Sequence, residues 1–197
     1  MSQFIESIKV EDQKAFLLDL HQQRVRKTFA HFGKECSIDL EKIFKDLEHD
    51  EDGLYKLRIV YDLEGNFKSQ MLPYAFPEIE TFELVENNDF SYDFKFADRT
   101  EFEKMKKKAR AQEIIIVKNG QITDTSFSNL LFLKNQTWYT PKSFLLNGVQ
   151  RQNLLKQGII KETEITLQNL NEFSLFQLIN SMNEFNQDFV YSIEELK

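Results

Sequence analysis

The 197-residue sequence predicts an α+β protein with a small N-terminal α/β domain and a larger, β-rich C-terminal domain. Three patterns indicate this fold class: a long run of helical periodicity near the N-terminus, a β-hairpin pattern after it, and a series of short strand-like segments in the second half. Hydrophobic residues make up 41% of the chain and aromatic residues 13%. This composition excludes a largely disordered protein.

The N-terminal part begins with a predicted strand and two helices. Residues 3–10 alternate polar and apolar side chains, as a half-buried strand does. Residues 17–32 carry apolar side chains at helical spacing, and Gly33 is the expected helix stop. Ser37 is then the expected cap of a second helix that runs to about His49.

A turn and a hairpin follow these helices. Residues 50–53 form an acidic turn that ends in glycine. Residues 54–63 and 66–75 are rich in β-forming side chains and are joined through Glu64, Gly65 and Asn66, so they predict a β-hairpin. The first part of the chain therefore reads β-α-α-β-β.

Two closely spaced prolines mark the predicted domain boundary. Pro73 and Pro77 bracket three residues, and prolines at this spacing interrupt regular backbone hydrogen bonding. We therefore expect an N-terminal α+β domain over residues 1–76 and a C-terminal domain over residues 77–197.

The second part predicts short strands and a few helices. Thr100 and Glu103 have capping-box spacing and open a helix to about residue 111. Asn119-Gly120 is the dipeptide that favours a two-residue hairpin turn after the apolar run Glu113–Lys118. The remaining predicted elements are strands at 81–85, 91–96, 121–125, 129–134, 137–140 and near 176–180, and helices at 148–157 and near 167–173.

The composition excludes several kinds of site. Cys36 is the one cysteine, so an intramolecular disulfide or a cysteine-rich zinc site cannot form. The three histidines, His21, His31 and His49, all lie in the first quarter of the chain. With six glycines and no glycine-rich phosphate motif, Rossmann and P-loop nucleotide sites are not expected.

The charge and hydropathy patterns predict no nucleic-acid or membrane partner. Lys and Arg number 25 and Asp and Glu number 32, which gives a net charge of −7. The basic run at residues 104–110 lies on a predicted helix beside acidic residues, where a solvated face is the usual explanation. No signal peptide or membrane-spanning run is expected, and a reduced, cytoplasmic setting fits the single cysteine.

Four features could carry chemistry, although each has an ordinary structural explanation. Lys95 lies among alternating aromatic residues, where a lysine either extends to solvent or becomes a nucleophilic amine in a pocket. The helix start at Gly148 presents free backbone N–H groups that suit a phosphate, but many helix starts bind nothing. Arg24 is by default a surface arginine, and Asp124 is by default a turn or edge-strand acid.

Taken together, these residues resemble the class IV aminotransferases, the fold type IV pyridoxal-phosphate (PLP) enzymes. The family includes branched-chain and D-amino-acid aminotransferases and aminodeoxychorismate lyase. The resemblance is densest from Glu113 to Asn180. Within this range, EIIIVKNGQITDTSFSNLLFLKNQTWYTPKSFLLNGVQRQNLLKQG follows the family's order of strand, NG turn, acid, S-x-x-N, TP, L-x-G and R. Weaker matches lie in FIESIKV, in HQQRV and around Lys95, so the resemblance covers nearly the whole chain.

The resemblance implies roles for particular residues. Lys95, in a K-x-x-x-R setting with Arg99, would form the Schiff base with PLP. Asp124 falls where the family normally has a glutamate beside the pyridine nitrogen. The other implied cofactor contacts are to the phosphate: the side chain of Arg24 in H-x-x-R, the backbone N–H groups of Val149 and Gln150, and the hydroxyl of Ser181. Gln150 replaces the family's usual threonine, so the side-chain hydroxyl is missing there.

The resemblance also implies a function and an assembly. We expect a PLP-dependent homodimer that acts on a small amino substrate, most closely like aminodeoxychorismate lyase, which converts 4-amino-4-deoxychorismate to 4-aminobenzoate and pyruvate. The preference for a lyase follows from the short chain and is a family-level analogy. The alternatives are a branched-chain or D-amino-acid aminotransferase and a non-catalytic PLP-binding protein. Arg58, on a predicted strand, is a candidate partner for a substrate carboxylate, and packing at the core edge explains it nearly as well.

Overall fold

The computed structural model describes residues 2–47, 52–186 and 189–196, and the chain divides into two compact units. Unit 1 comprises Met1–Phe76 and Phe94–Asp98, and unit 2 comprises Pro77–Asp93 and Arg99–Lys197. The units group residues by contact, so the domain boundary after residue 76 stays a prediction. The mixture of helix and sheet confirms the predicted fold class.

Unit 1 is a four-stranded antiparallel sheet with two helices against one face. The strand order is β2-β1-β3-β4. Alternate residues of β1 and β3 pack with α1 and α2 in one apolar core, because successive side chains of a strand point to opposite faces. The elements are β1 (Phe4–Glu11), β2 (Lys14–Ala15), α1 (Leu18–His31), α2 (Leu40–Lys45), β3 (Leu54–Tyr61) and β4 (Phe67–Pro73).

The structure confirms the β-α-α-β-β order of unit 1 and changes two details. The short strand β2 was not predicted. Helix α2 is capped by Asp39, whose Oδ1 accepts the Lys42 N–H at 3.0 Å, so the prediction of Ser37 as the cap was wrong. Helix α2 ends at Lys45; the predicted continuation to His49 and the first half of the turn at 50–53 fall on residues 48–51, outside the described residues.

The segment Phe94–Asp98 belongs to unit 1 because it follows the start of β1. The Ile5 N–H donates to the Lys95 carbonyl at 2.9 Å, and the Ala97 N–H donates to the Gln3 carbonyl at 2.8 Å. Phe96 forms an isolated bridge with Phe4. The prediction of a strand at 91–96 is therefore wrong. Among the described residues of this segment, only Phe96 makes a sheet-like pairing, and it is a single bridge.

Unit 2 contains two sheets around an apolar core. Its sheets have the orders β5-β6-β7 and β10-β9-β8-β11-β12, and side chains from both share one buried cluster. The larger elements are β5 (Phe82–Glu86), α3 (Thr100–Lys108), β6 (Glu113–Lys118), β7 (Gln121–Thr125), β8 (Asn129–Lys134), β9 (Thr137–Pro141), α4 (Val149–Lys156) and β11 (Leu175–Ile179). The Asn119-Gly120 turn has positive φ at both residues, 51° and 73°, as predicted for this hairpin.

Two local predictions for unit 2 were wrong, and three short elements were not predicted. Helix α3 begins after Arg99 instead of being capped by Thr100, and it ends at Lys108. The predicted helix near 167–173 is a single 3-10 turn, Leu170–Glu172. The short strands β10 (Lys161–Thr163) and β12 (Tyr191–Ser192), and the final 3-10 turn Ile193–Glu195, carried no sequence signal that we recognised.

Within the described residues, no helix is both long and apolar enough to cross a membrane.

Candidate active site

A buried cluster of charged and polar side chains lies in the core of unit 1. Glu6 is on the core face of β1, and its carboxylate is inaccessible to solvent. Arg24 on α1 donates from Nε to Glu6 Oε1 at 2.9 Å and from Nη2 to Oε2 at 2.5 Å. His21, one turn earlier on α1, lies with Nδ1 at 2.5 Å from the same Oε2. One carboxylate therefore holds both side chains.

The charges of this cluster follow from its partners. Burial raises the pKa of Glu6, but the Arg24 guanidinium and the hydrogen bonds from His21 and Arg24 outweigh it and bring that pKa to about 2. Burial lowers the pKa of His21, and the charges of Arg24 and Lys95 lower it further. The hydrogen bond to Glu6 and the charge of Glu6 raise this pKa but do not outweigh these effects. At neutral pH Glu6 is therefore ionised and His21 is neutral. His21 donates from Nδ1 to the carboxylate, and its buried Nε2 has no hydrogen-bond partner among the described residues.

Lys95 is placed by its backbone and by its neighbours. Its carbonyl accepts the Ile5 N–H, and Phe94 and Phe96 on either side pack against the apolar core of unit 1. Its side chain is half-buried and lies near enough to His21 for its charge to lower the pKa of that histidine. The structure thus brings Lys95, Arg24 and the unpredicted residues Glu6 and His21 into one region of unit 1.

Arg58 lies on the other face of the unit 1 sheet. It is half-buried on β3 between Leu57 and Ile59, which are both fully buried in the core. Its register partners are Ser7 on β1 and Gln70 on β4. Because side chains alternate along a strand, Arg58 does not share the face of the Glu6 cluster. Its role as a partner for a substrate carboxylate stays a prediction.

In unit 2, Asp124 holds the backbone that precedes helix α4. Its carboxylate is 5% exposed at the end of β7. Oδ2 accepts the backbone N–H groups of Leu145 and Leu146, both at 2.9 Å, and Oδ1 accepts Asn129 Nδ2 at 2.8 Å. Asn129 Nδ2 also donates to the Leu146 carbonyl at 2.8 Å. The acid predicted to face a cofactor ring is therefore also the anchor of this loop.

Burial sets the protonation of Asp124. Removal from water raises its pKa to about 6, although the hydrogen bonds from Leu146, Asn129 and Leu145 and the charge of Arg151 lower it. Each of its oxygens can accept more than one hydrogen bond. Above about pH 6 the group is a carboxylate, and its Oδ1 can accept a hydrogen bond from a further donor.

Helix α4 begins with backbone N–H groups that the helix itself does not use. Gly148 is the N-cap, and the first intrahelical bond runs from the Gln152 N–H to the Gly148 carbonyl at 3.0 Å. No side chain of the described residues caps this end, and its first turn carries no acidic residue. Val149 and Gln150 are both buried. The predicted phosphate donors therefore lie at a helix start with the right polarity for an anion.

The position of this helix start depends on a close approach between Gly148 and Asn129. A Cβ on Gly148 would overlap with Asn129 Oδ1. Gly148 has φ −64° and ψ 149°, which any L-residue can adopt, so the requirement for glycine is steric. Asn129 thus ties Asp124, the Leu146 carbonyl and the helix start together.

Arg151 fixes the other side of the same loop. It is 2% exposed and donates to Asn147 Oδ1 at 3.0 Å, to the Pro141 carbonyl at 3.1 Å and to Glu162. Its guanidinium lies 4.4 Å from the centre of the Phe144 ring. The loop from Pro141 to the start of α4 is therefore held by one buried cation and one buried carboxylate.

Two charged residues clamp the turn that follows Asp124. Arg99 donates to the Ser126 carbonyl, and buried Glu113 accepts the Ser126 N–H at Oε1 at 2.9 Å. Thr125 Oγ1 accepts the Ser128 N–H at 2.9 Å within the turn. These bonds fix the end of strand β7, where Asp124 lies.

Ser181 lies in the turn after β11. Asn180 Oδ1 accepts the N–H groups of Met182 and Asn183 at 2.7 and 2.9 Å, and Asn180 Nδ2 donates to Ser128 Oγ at 2.9 Å. Hydrogen bonds therefore link the turn of Ser181 to the turn after Asp124. In unit 2 the structure brings together Asp124, the helix start and this turn.

The predicted site residues lie apart from the open cavity of unit 1, and the described residues contain no metal-binding cluster. Within the described residues, no group of three or more His, Cys, Asp and Glu side chains could hold a metal ion. An open cavity of about 580 Å³ in unit 1 is lined by residues that include Leu18, Gln22, Cys36 and Asp39. None of the predicted site residues lines it.

The sequence analysis missed Glu6, although a signal was present. Glu6 falls on the same face of the alternating strand as Phe4, Ile8 and Val10, so an acid stands where the pattern requires an apolar side chain. A buried acid needs a partner, and His21 and Arg24 share one helix face at i, i+3. The anchoring role of Asn129 had no comparable signal, because it depends on the path of the loop at 142–148.

We expect Gly148→Ala to destabilise the protein by roughly 1–3 kcal/mol, because the new Cβ displaces Asn129 from Asp124 and the Leu146 carbonyl. Urea unfolding at pH 7 measures the change. In the matched Asn129→Ala background the obstacle is absent, so Gly148→Ala should cost much less there. Equal costs in the two backgrounds would contradict the steric account.

The raised pKa of Asp124 predicts a pH-dependent contribution to stability. Folded Asp124 keeps its proton up to about pH 6, whereas an unfolded aspartate releases it near its model value of 3.8. The folded state binds more protons between these values, so this contribution to the free energy of unfolding falls by about 3 kcal/mol as pH rises through them.

Unfolding of wild type and Asp124→Asn between pH 3 and 7 isolates this effect. The stability of wild type relative to the variant should fall with rising pH. Asp62→Asn is the control with the opposite sign, since hydrogen bonds from Asn66 lower the pKa of Asp62. A wild-type advantage over Asp124→Asn that does not change with pH would refute the assignment.

Comparison with known proteins agrees with the predicted resemblance. The model of the family Amino-transferase class IV matches residues 3–186. A protein of Haemophilus influenzae whose function is uncharacterised is 30% identical over 187 residues, which are 93% of this chain and 99% of that protein.

Two solved structures share the fold. A provisionally assigned 4-amino-4-deoxychorismate lyase from Haemophilus somnus is 34% identical, with a TM-score of 0.86 over 94% of this chain and 98% of that chain. A hypothetical aminotransferase from Mycobacterium tuberculosis in its PLP-bound form is 15% identical, with a TM-score of 0.74 over 92% of this chain and 78% of that chain. The predictions of the family, its PLP cofactor and an enzyme are confirmed at family level: the chain belongs to the class IV aminotransferases.

Proposed function

We propose that the protein is a PLP-dependent lyase of the aminodeoxychorismate lyase type, which converts 4-amino-4-deoxychorismate to 4-aminobenzoate and pyruvate. The observation that carries the proposal is the end-to-end match to the Haemophilus somnus protein, at 34% identity and over 98% of its length. That protein is provisionally assigned this activity.

The residues present fit PLP by their chemistry. Lys95 offers a primary amine to an aldehyde, and the first N–H groups of α4 offer donors to a phosphate without a competing acid in that turn. Asp124 offers a buried carboxylate to a ring nitrogen, and its position is fixed by Asn129 and the loop backbone. Arg24 and Ser181 are the further phosphate partners in this proposal. Lys95 and Arg24 lie in unit 1, and Asp124, the start of α4 and Ser181 lie in unit 2.

Each residue has a definite task in this proposal. PLP, when bound, supplies the electron sink that the side chains of the protein lack. Lys95 Nζ would hold the cofactor and would act as the general base for the α-proton of the amino substrate. His21 adds no positive charge near Lys95, because burial and the charges of Arg24 and Lys95 lower its pKa and keep it neutral at pH 7. Asp124 would supply the carboxylate for a protonated ring nitrogen above about pH 6.

An amino-acid aminotransferase is the second candidate. The matching family model is that of the class IV aminotransferases. An aminotransferase would use the same lysine, carboxylate and phosphate donors. In this alternative Arg58 would bind the substrate carboxylate, as it would in the lyase. A non-catalytic PLP-binding protein would keep the cofactor residues and show neither reaction. We also propose that the protein is a homodimer, as the family resemblance implies, and that it lies in the reducing cytoplasm.

We expect purified protein incubated with PLP to become yellow, and borohydride to bleach the colour while fixing the cofactor to Lys95. Lys95→Ala should lose both effects, because no amine remains at that position. Lys45→Ala is the control, since Lys45 is an exposed lysine of unit 1 paired with Glu41. Peptide mapping by mass spectrometry identifies the modified lysine. Undiminished colour in Lys95→Ala, or a modified peptide without residue 95, would refute the proposal.

A paired assay distinguishes the reactions. Formation of 4-aminobenzoate and pyruvate from 4-amino-4-deoxychorismate is measured beside formation of 2-oxo acids from a panel of L- and D-amino acids. We expect the first reaction to dominate and Lys95→Ala to lower it by at least about 10³-fold, since the lysine serves as both nucleophile and base. Activity on amino acids alone would contradict the lyase and favour the aminotransferase. Activity on neither, with PLP bound at Lys95, would indicate a binding protein.

A further inference from the structure

We propose that Glu6 is a positioning residue that holds the Arg24 guanidinium in place for the cofactor phosphate, and that His21 fixes Glu6 in turn. This inference rests on the proposed function, because the assignment of Arg24 to the phosphate comes from it. Nothing in the family resemblance assigns a role to Glu6. The proposal follows from the cluster in the core of unit 1.

The geometry of the ion pair supports a positioning role. Glu6 takes Arg24 through Nε and Nη2, at 2.9 and 2.5 Å, so two parallel bonds fix the plane of the guanidinium. The fork shape of a guanidinium allows one anion at the Nε–Nη2 edge and another at the Nη1–Nη2 edge. A carboxylate at the first edge therefore directs the second edge without blocking it.

The carboxylate itself is firmly held. Glu6 is fully buried on β1, at the register position opposite Ile59, and the side chain of His21 is also inaccessible to solvent. His21 Nδ1 approaches the same oxygen that Arg24 Nη2 uses. The side chain of Arg24 is 12% exposed, so a buried acid and a buried histidine hold an arginine that still reaches the surface. An ordinary surface ion pair would not need a buried support of this kind.

The charge of Glu6, considered alone, predicts the opposite effect on phosphate binding. A carboxylate beside a phosphate site weakens anion binding by charge repulsion, and it neutralises the arginine. If charge alone mattered, removal of the Glu6 charge would strengthen phosphate binding. If Glu6 orients Arg24, its removal loosens the guanidinium, and binding weakens because the side chain must be ordered again on binding.

The test compares two ligands that differ only in the phosphate. Dissociation constants for PLP and for pyridoxal, which lacks the phosphate, are measured from the absorbance change on binding. The dissociation constant of pyridoxal divided by that of PLP is the ratio that reports what the phosphate contributes. We expect Glu6→Gln, which keeps the side-chain shape, to reduce this ratio by about tenfold or more while pyridoxal binding stays within about twofold of wild type. Arg24→Ala should reduce the ratio at least as much.

A double variant shows whether Glu6 acts through Arg24. In the Arg24→Ala background, Glu6→Gln should leave the ratio unchanged. His21→Gln, which removes the ring but can still donate to Glu6, should reduce the ratio less than Glu6→Gln. It also serves as the test of the cluster if Glu6→Gln does not fold, as judged by circular dichroism: the ratio must then fall in His21→Gln and not in His21→Gln/Arg24→Ala.

The outcomes separate this inference from the proposed function. An unchanged or increased ratio in Glu6→Gln, or an equal loss for both ligands, would overturn the positioning role. So would an unchanged ratio in Arg24→Ala. In each of these cases, borohydride fixation of PLP on Lys95 in wild type would leave the proposed function standing. Failure of wild type to attach PLP would instead overturn the proposed function.

Discussion

The structure depends most on the burial of one carboxylate, Asp124, at the end of strand β7. A buried carboxylate is unfavourable unless hydrogen-bond donors surround it, and here two backbone N–H groups and Asn129 supply them. Those donors lie in the loop before α4, so satisfying the charge also fixes where the helix begins. The need to hydrogen-bond one acid therefore places the backbone donors of Val149 and Gln150.

Glu6 is a buried, hydrogen-bonded carboxylate in unit 1, as Asp124 is in unit 2, but its pKa is shifted in the opposite direction. Asp124 is held mainly by neutral donors, so burial raises its pKa to about 6. Glu6 meets a guanidinium, which overcomes burial and lowers its pKa to about 2. Unit 2 thus contains a buried carboxylate that can titrate near neutrality, and unit 1 contains one that stays ionised.

Elements with strong periodicity could be predicted from the sequence, and contacts between distant segments could not. The helix α1, the hairpin β3-β4 and the Asn119-Gly120 turn carry local signals, and all three are present. The segment at 91–96 was predicted as a strand because its aromatic residues alternate. Its bridge at Phe96 depends on Phe4 of β1, which is 92 positions away in the chain. Lys95, Arg24 and Asp124 could be named through family resemblance. Glu6 and Asn129 matter through contacts that only the fold reveals.

A crystal structure of the protein grown with PLP would test the central claim most directly, that this chain holds the cofactor through Lys95 and the donors that Asp124 positions. The account predicts continuous density from Lys95 Nζ to the cofactor, with its phosphate within hydrogen-bond distance of the Val149 and Gln150 N–H groups. Asp124 should keep its bonds to the backbone of Leu145 and Leu146. Density at another lysine, or a phosphate remote from the start of α4, would contradict it.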